Sequence, residues 1–213
     1  AGLRAFLGRL GPAILECMSD FYKECGRKAF HMLSLVYVAA FKWIGYPAIV
    51  PWLSGFLIVV TLGEALRLYI TSVNLRLTRL FHGLIREAEQ RSFSGIFHTT
   101  AGSLLVILMS RGRPDVVVPA LLYLALGDAA AALIGKSMGR HKIPGSAKSV
   151  EGSLGCLVVC LAIGIGCRLP ASAAVAGAAA ATMIELLPTN HYFNDNLWIP
   201  VGSAAALLLL GPS

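Results

Sequence analysis

Residues 127–155 of the chain read GDAAAALIGKSMGRHKIPGSAKSVEGSLG. An apolar run ends here, a short basic loop rich in glycine follows, and a second apolar run begins. Asp128 lies inside the first run, and only leucine and alanine stand three or four positions away on either side. Because charges inside an apolar segment are costly, a carboxylate without a local cation predicts a metal ion or a partner distant in the chain.

The composition of the whole chain favours a membrane protein. The 213 residues are 56% hydrophobic and 14% charged, and the mean hydropathy is +0.72. A soluble domain of this length cannot bury that much apolar surface. We therefore expect an all-α integral membrane protein with about seven transmembrane helices, each suited to a hydrocarbon core of roughly 30 Å. The predicted spans are 29–45, 47–66, 95–110, 115–134, 152–167, 170–187 and 197–211.

Two further segments are amphipathic and predict one or two helices that lie on the lipid surface. The first is the N-terminal segment 1–25, which we separate from a transmembrane domain over 26–213. The second has an apolar stripe made of Leu77, Leu80, Phe81 and Leu84, and arginines flank this stripe. An apolar stripe beside cations is typical of interfacial helices, and it also suits ordinary packing helices.

The basic residues orient the predicted helices. All but four of the 18 Lys and Arg residues fall on one side of the spans, and the four exceptions are Lys42, Arg111, Arg113 and Arg168. Short loops with an excess of positive charge face the cytosol, which places the N-terminus and the quoted loop there. The net charge of +7 therefore reflects membrane orientation, and we expect no nucleic acid partner.

Most ionisable residues near the ends of the predicted spans converge on this cytosolic face. Asp128, Glu185 and Asp195 lie there, as do Glu64 and His31. Ionisable residues at such depths are candidates for function, but two of them have simpler explanations. Glu64 has an arginine three residues later, with which it can pair on one helix face. His31 can be a core histidine with a local hydrogen bond.

The surroundings of Asp128 suit a nucleoside triphosphate with its metal ion. Glycines and cations crowd the loop that follows it, at Gly135, Lys136, Gly139, Arg140, Lys142 and Lys148. A carboxylate for Mg²⁺ beside glycines and cations is what a triphosphate requires. Further oxygen ligands are available from Glu151, Glu185, Asp195 and Asn196. The letters GKS at 135–137 do not form a P-loop, because alanine stands where the first glycine belongs and no strand precedes it.

Four stretches resemble, in order, the motifs of the CTP-dependent lipid kinases, the family of dolichol, phytol, farnesol and CTP-dependent diacylglycerol kinases. They are GRKAFH at 26–31, REAEQRSFSGIF at 86–97, GDAAAALIGKSMGRHKIPGSAKSVEG at 127–152 and IELLPTNHYFNDNLWIP at 184–200. The resemblance covers roughly residues 25–205. Each motif alone is weak, and their common order carries the resemblance.

The resemblance implies a kinase that transfers the γ-phosphate of CTP to the hydroxyl of a lipid alcohol in the bilayer, with Mg²⁺ as cofactor. By resemblance, Arg27, Lys28, Asp128 and Gly135 fall on positions that the family needs for activity. Different members of the family share different parts of the pattern with this sequence, so the resemblance does not identify the lipid substrate. It does not identify the group that deprotonates the lipid hydroxyl either. For a eukaryotic protein the resemblance implies the endoplasmic reticulum, with the site facing the cytosol.

The predicted site has four parts. Asp128, Arg27 and Lys28 are the catalytic residues, and Asp128 also binds the metal. The predicted nucleotide-binding residues are Gly135, Lys136, Gly139, Arg140, Lys148, Ser149, Glu151 and Gly152. The further metal ligands are Glu185, Asp195 and Asn196. The residues expected near the substrate or behind the site are His31, Glu64, Ser94 and Gly95.

Two other functions share some of these features. CTP:phosphatidate cytidylyltransferases have a similar element, but their terminal Lys-Asp and Gly-His-Gly-Gly signature is missing from this sequence. A membrane transporter would also place acids inside the membrane and break helices with glycine. It would not need a cluster of cations beside one acid, and no internal repeat is visible. The kinase is therefore the favoured prediction.

Overall fold

The computed structural model describes residues 26, 28, 31–80, 92–144, 146, 148–188 and 193–211, with the backbone alone for 77–80. Within these ranges the chain forms helices and no strand, which confirms the prediction of an all-α protein. A short 3-10 turn at Met32–Ser34 leads into the first helix. The helices are α1 Leu35–Ile44, α2 Ile49–Tyr69, α3 Thr71–Leu80, α4 Gly95–Met109, α5 Pro114–Ser137, α6 Val150–Gly166, α7 Ala171–Leu186 and α8 Asp195–Leu210.

Each of the seven apolar runs of the sequence coincides with one of these helices, and α3 is additional. Only α2 and α5 are long and apolar enough to cross a membrane by length and composition. The other apolar helices of the described residues have 10 to 17 residues, so the seven spans stay a prediction. Of the two amphipathic segments, 1–25 lies outside the described residues, and the second lies partly in α3 and partly in 81–91, which is also outside.

Local sequence signals explain where the helices after the basic loop begin and end. Ser149 caps α6, because its Oγ accepts a hydrogen bond from the Gly152 N–H at 3.2 Å. Asn194 caps α8 in the same way, through the Asn196 N–H at 3.0 Å. Pro188 follows the end of α7, and a proline disfavours helical backbone in the residue before it. These signals fix the ends of the helices that carry the candidate site.

Helix α5 lies at the centre of the bundle and packs against α1, α4, α6, α7 and α8. Its middle is fully buried around Tyr123. Glycines bring α5 and α6 close together: a Cβ at Gly127 would lie 2.6 Å from Cys160 Sγ, and one at Gly152 would lie 2.6 Å from the Ala131 carbonyl oxygen. Larger side chains would separate the two helices, so these glycines set the position of Asp128 relative to α6.

Candidate functional site

Asp128 is positioned by an irregular turn in the middle of α5. Residues Tyr123–Gly127 form a π-helical turn, in which the Asp128 N–H donates to the Tyr123 carbonyl five residues earlier. Such widened turns are frequent at functional sites. Asp128 is the first of the 10 residues that complete the helix. It therefore lies about 14 Å from the helix end, well inside the bundle.

The carboxylate of Asp128 has a partner that is distant in the sequence. Lys28 Nζ donates to Asp128 Oδ2, and the two residues are 4% and 5% exposed. His31 Nε2 lies 3.5 Å from the same oxygen and 3.3 Å from the Leu124 carbonyl oxygen in the π-helical turn. The structure thus brings together three residues that the sequence assigned to the site. Arg27, the other cation of that motif, lies outside the described residues.

A second ion pair, in which Glu185 is buried and Lys148 is partly exposed, lies beside the first. Lys148 Nζ is 3.1 Å from Glu185 Oε1 and donates to the Leu187 carbonyl oxygen at 3.2 Å. Glu185 is 6% exposed, and both Lys28 and Asp128 are close enough to act electrostatically on its carboxylate. We call Lys28, Asp128, Lys148 and Glu185 the buried charge cluster. Its formal charges cancel, which limits the free energy that burial of the four groups costs.

The predicted metal ligands on α8 are also buried. Asp195 and Asn196 are 4% and 7% exposed, and a Cβ at Gly102 of α4 would lie 3.2 Å from the Asn196 carbonyl oxygen. Among the described residues, no three His, Cys, Asp or Glu side chains form a group that could hold a metal ion by themselves. Mg²⁺ in nucleotide sites commonly uses one or two carboxylates together with phosphate oxygens and water. Asp128, Asp195 and Asn196 offer donors of that kind.

The glycines that were expected to approach phosphates make packing contacts. Gly135, Gly139 and Gly152 converge on Ser149, and a Cβ at Gly139 would lie 2.5 Å from the Ser149 Oγ. Ser149 is buried and caps α6. The four residues join the end of α5 to the start of α6 and shape the loop between them. Their contact with a nucleotide stays a prediction.

The loop between α5 and α6 is held closed by Glu151. This carboxylate accepts a hydrogen bond from the His141 N–H at 3.1 Å and pairs with His141 Nδ1 at 2.6 Å. Lys136 and Arg140 are exposed on the same loop or at its edge, while Lys148 reaches inward to the cluster. Glu151, expected as a nucleotide-binding residue, therefore fastens the loop that carries the cations.

Glu64 and Ser94 belong to a second polar network, built around Arg67. Arg67 Nη2 lies 2.7 Å from Glu64 Oε2, three residues earlier on α2, and donates to the Ser92 carbonyl oxygen at 2.7 Å. Its Nη1 donates to Asn74 Oδ1 at 3.0 Å. The Ser94 N–H donates to Glu64 Oε2 at 3.1 Å, just before α4 begins. This Arg67 network ties α2, α3 and α4 together, and it confirms the local pairing of Glu64 with Arg67.

Several buried or half-buried polar side chains were not predicted from the sequence. Tyr37 of α1 shares a hydrogen bond of 2.7 Å with Thr100 of α4. Ser103 and Tyr123 are fully buried, and their hydroxyls have no partner among the described residues. Thr100 and Ser103 are three residues apart within an apolar run, which is a helical spacing that points to a shared face. Tyr123 gives no such signal, because a single tyrosine in an apolar run is ordinary.

Comparison with known proteins identifies no relative of this chain. No family model, no curated protein and no solved structure matches it. Its function is therefore inferred from its own residues and their geometry, of which two adjacent ion pairs, with three of the four residues buried, are the most unusual feature.

Proposed function

We propose that the chain is an integral membrane, CTP-dependent kinase that transfers the γ-phosphate of CTP to the hydroxyl of a membrane lipid alcohol. The observation that carries the proposal is the buried charge cluster. Lys28 comes from the first of the four motifs that resemble the lipid kinases, Asp128 and Lys148 from the third, and Glu185 from the fourth. Motifs that serve one catalytic reaction must lie together in the folded chain, and the cluster brings residues from three of the four motifs together.

The distribution of apolar side chains supports insertion into a membrane. Trp52, Val59 and Tyr69 of α2 are 73%, 66% and 89% exposed. The shorter helices also expose large apolar side chains, with Val158 of α6 at 64% and Leu209 of α8 at 82%. Extensive exposed apolar surface marks contact with lipid or another protein. We therefore extend the spanning role to the five shorter apolar helices, with the loop between α5 and α6 in the cytosol and, in a eukaryote, the endoplasmic reticulum as location.

Lysines beside carboxylates suit the transfer of a phosphoryl group. Its transition state is loose, and catalysis consists mostly of positioning and of neutralising charge on the phosphate oxygens. Lys28 and Lys148 hold their ammonium groups on carboxylates, and the oxygens of an entering triphosphate are alternative partners for both. Mg²⁺ would neutralise further phosphate charge, and Asp128, Asp195 and Asn196 are the residues that would hold it.

In the proposed reaction the alcohol oxygen forms a bond to the γ-phosphorus of CTP, while the bond from that phosphorus to the bridging oxygen breaks. CDP leaves with the electron pair, the lipid becomes a phosphomonoester, and the hydroxyl proton passes to solvent. In this proposal CTP enters the bundle from the cytosolic side, and its γ-phosphate reaches the level of Asp128, about 14 Å from the helix end. A lipid hydroxyl and a nucleotide from the cytosol can meet at such a depth.

The test is an assay of the purified protein with γ-labelled CTP, Mg²⁺ and the alcohols farnesol, phytol, dolichol and dioctanoylglycerol. We expect the label in one lipid and an equal amount of CDP. Pyrophosphate together with a cytidine-bearing lipid would establish a cytidylyltransferase instead. Equal use of ATP would contradict the assignment to the CTP-dependent kinases.

A further inference from the structure

One carboxylate oxygen of the buried charge cluster has no hydrogen-bond partner among the described residues. Glu185 Oε1 pairs with Lys148 at 3.1 Å, whereas Oε2 is buried and accepts no hydrogen bond from the described residues. A buried acceptor that is left unpaired is costly, and such atoms in native proteins call for an explanation such as a bound ligand. Because the residue is only 6% exposed, bulk solvent does not compensate for the missing hydrogen bond.

The charges around this oxygen favour a neutral donor over a metal ion. The cluster contains two lysines and two carboxylates, so its formal charge is already zero. A hydroxyl group adds a hydrogen bond donor without adding charge.

The outer surface of α7 suits a molecule with an apolar tail. Val175, Met183 and Leu187, in α7 or directly after it, are 57%, 66% and 47% exposed. Glu185 lies between the last two in the sequence, and Lys148 binds the Leu187 carbonyl at the end of the helix. Glu185 lies about 200° around the helix from Met183 and faces the bundle, so an acceptor on this apolar face would reach it by placing its hydroxyl around the end of α7, where Lys148 binds.

We propose that Glu185 Oε2 accepts a hydrogen bond from the hydroxyl of the acceptor alcohol and orients its oxygen toward the γ-phosphate. This inference rests on the proposed function, and it replaces the expectation that Glu185 is a metal ligand. Orientation is a large part of catalysis in phosphoryl transfer, because the transition state requires the attacking oxygen in line with the leaving group.

The first experiment uses Glu185→Gln with farnesol as acceptor. Lys148 is a donor and holds the amide oxygen at the Oε1 position, so the amide nitrogen replaces Oε2 and cannot accept the hydroxyl proton in a hydrogen bond. We expect kcat/KM for farnesol to fall about 30-fold, the range of one hydrogen bond to a charged group. The loss of transfer to farnesol should exceed any loss of CTP hydrolysis measured without alcohol, and the Mg²⁺ concentration for half-maximal hydrolysis should match that of the parent protein.

Asp115→Asn is the matched control. This carboxylate pairs with Arg113 at 2.7 Å near the start of α5, and both side chains are partly exposed. The same chemical change at this position should alter neither kcat/KM for farnesol nor the Mg²⁺ dependence.

The second experiment measures binding without nucleotide. Farnesol and farnesene, a hydrocarbon that lacks the hydroxyl, are compared as stabilisers of the detergent-solubilised protein in a thermal shift assay. We expect farnesol to raise the Tm of the parent protein more than farnesene does, and we expect this difference to shrink in Glu185→Gln, whose amide nitrogen can donate to the alcohol oxygen but cannot accept from its hydroxyl. Equal shifts in the parent protein would overturn the inference.

The other outcomes separate this inference from the proposed function. A higher Mg²⁺ requirement of Glu185→Gln would make Glu185 a metal ligand, and a lower Tm with equal losses of transfer and hydrolysis would make it structural. Either result overturns the inference and leaves the kinase proposal standing. If no alcohol is phosphorylated but the farnesol-specific shift depends on Glu185, the hydroxyl site is upheld and the kinase proposal fails.

Discussion

The two polar networks of the molecule differ in how completely their hydrogen bonds are satisfied. In the Arg67 network one guanidinium donates to Glu64, Asn74 and the Ser92 carbonyl. In the buried charge cluster each lysine meets one carboxylate, and Glu185 Oε2 has no partner among the described residues. Among the described residues the first network leaves only the neutral Ser94 hydroxyl without a partner, whereas the second leaves an oxygen of a carboxylate without one.

The networks also differ in the distance along the chain that they bridge. Arg67 and Glu64 are three residues apart on one helix, whereas Lys28 and Asp128 are separated by 100 residues. The pairs of the cluster join different elements, so a ligand can replace them without unwinding a helix. We therefore expect substitutions in the Arg67 network to lower stability alone, and those in the cluster to lower both stability and activity.

The largest effect is expected for Asp128→Asn. The amide keeps the volume of the side chain but removes the charge that balances Lys28 and that would hold Mg²⁺. Loss of a charge contact in a low-dielectric site should slow turnover by roughly a thousandfold or more. The substitution also leaves Lys28 buried without its counterion, which should lower the free energy of unfolding by about 3–5 kcal/mol. Turnover against Mg²⁺ concentration and the Tm in detergent are the measurements.

The double variant Lys28→Met, Asp128→Asn separates the two consequences. Removing both charges takes away the unpaired buried ammonium, so we expect most of the lost stability to return. Activity should stay as low as in Asp128→Asn. A double variant that recovers activity together with its Tm would show that the pair is structural, and the difference between the two networks would disappear.

A smaller effect is expected for Glu64→Gln. The amide weakens the contacts to Arg67 and to the Ser94 N–H, and a loss of about 1–3 kcal/mol in the free energy of unfolding follows from a disturbed buried hydrogen bond. Turnover of the folded enzyme should change by less than about tenfold. Glu64 belongs to the Arg67 network and not to the cluster, and substitutions at separate sites act nearly independently. The Tm and the turnover per folded molecule test this. A thousandfold loss of turnover at unchanged Tm would place Glu64 in the active site.

The helices were largely predictable from the sequence, because each apolar run is continuous and folds locally. The predicted and observed helix boundaries differ where local rules compete. The predicted span was 115–134, whereas α5 continues to Ser137, because Gly135 and Lys136 do not stop a helix. The Glu64–Arg67 pair was likewise visible in the spacing. The partner of Asp128 could not be identified in the same way, because the packing of helices, rather than sequence spacing, brings Lys28 to it.

The smallest effect is expected for Tyr123→Phe. This variant compares Glu185 Oε2, an unpaired atom among charges, with an unpaired atom in apolar surroundings. The Tyr123 hydroxyl is buried without a partner among the described residues, as Glu185 Oε2 is. Its neighbours are apolar: a Cβ at Gly164 would lie 3.2 Å from the hydroxyl oxygen, and one at Gly177 would lie 3.0 Å from the ring.

A hydroxyl in such surroundings has no charge nearby to recruit a polar ligand. Its removal should leave turnover unchanged and should raise the free energy of unfolding by up to about 1 kcal/mol, since the folded state no longer buries an unsatisfied group. Denaturant unfolding in detergent and the CTP assay are the measurements. A tenfold loss of turnover in Tyr123→Phe would contradict this. It would mean that any unpaired buried atom in this bundle can be a ligand contact, and that the charges around Glu185 do not set Glu185 apart from Tyr123.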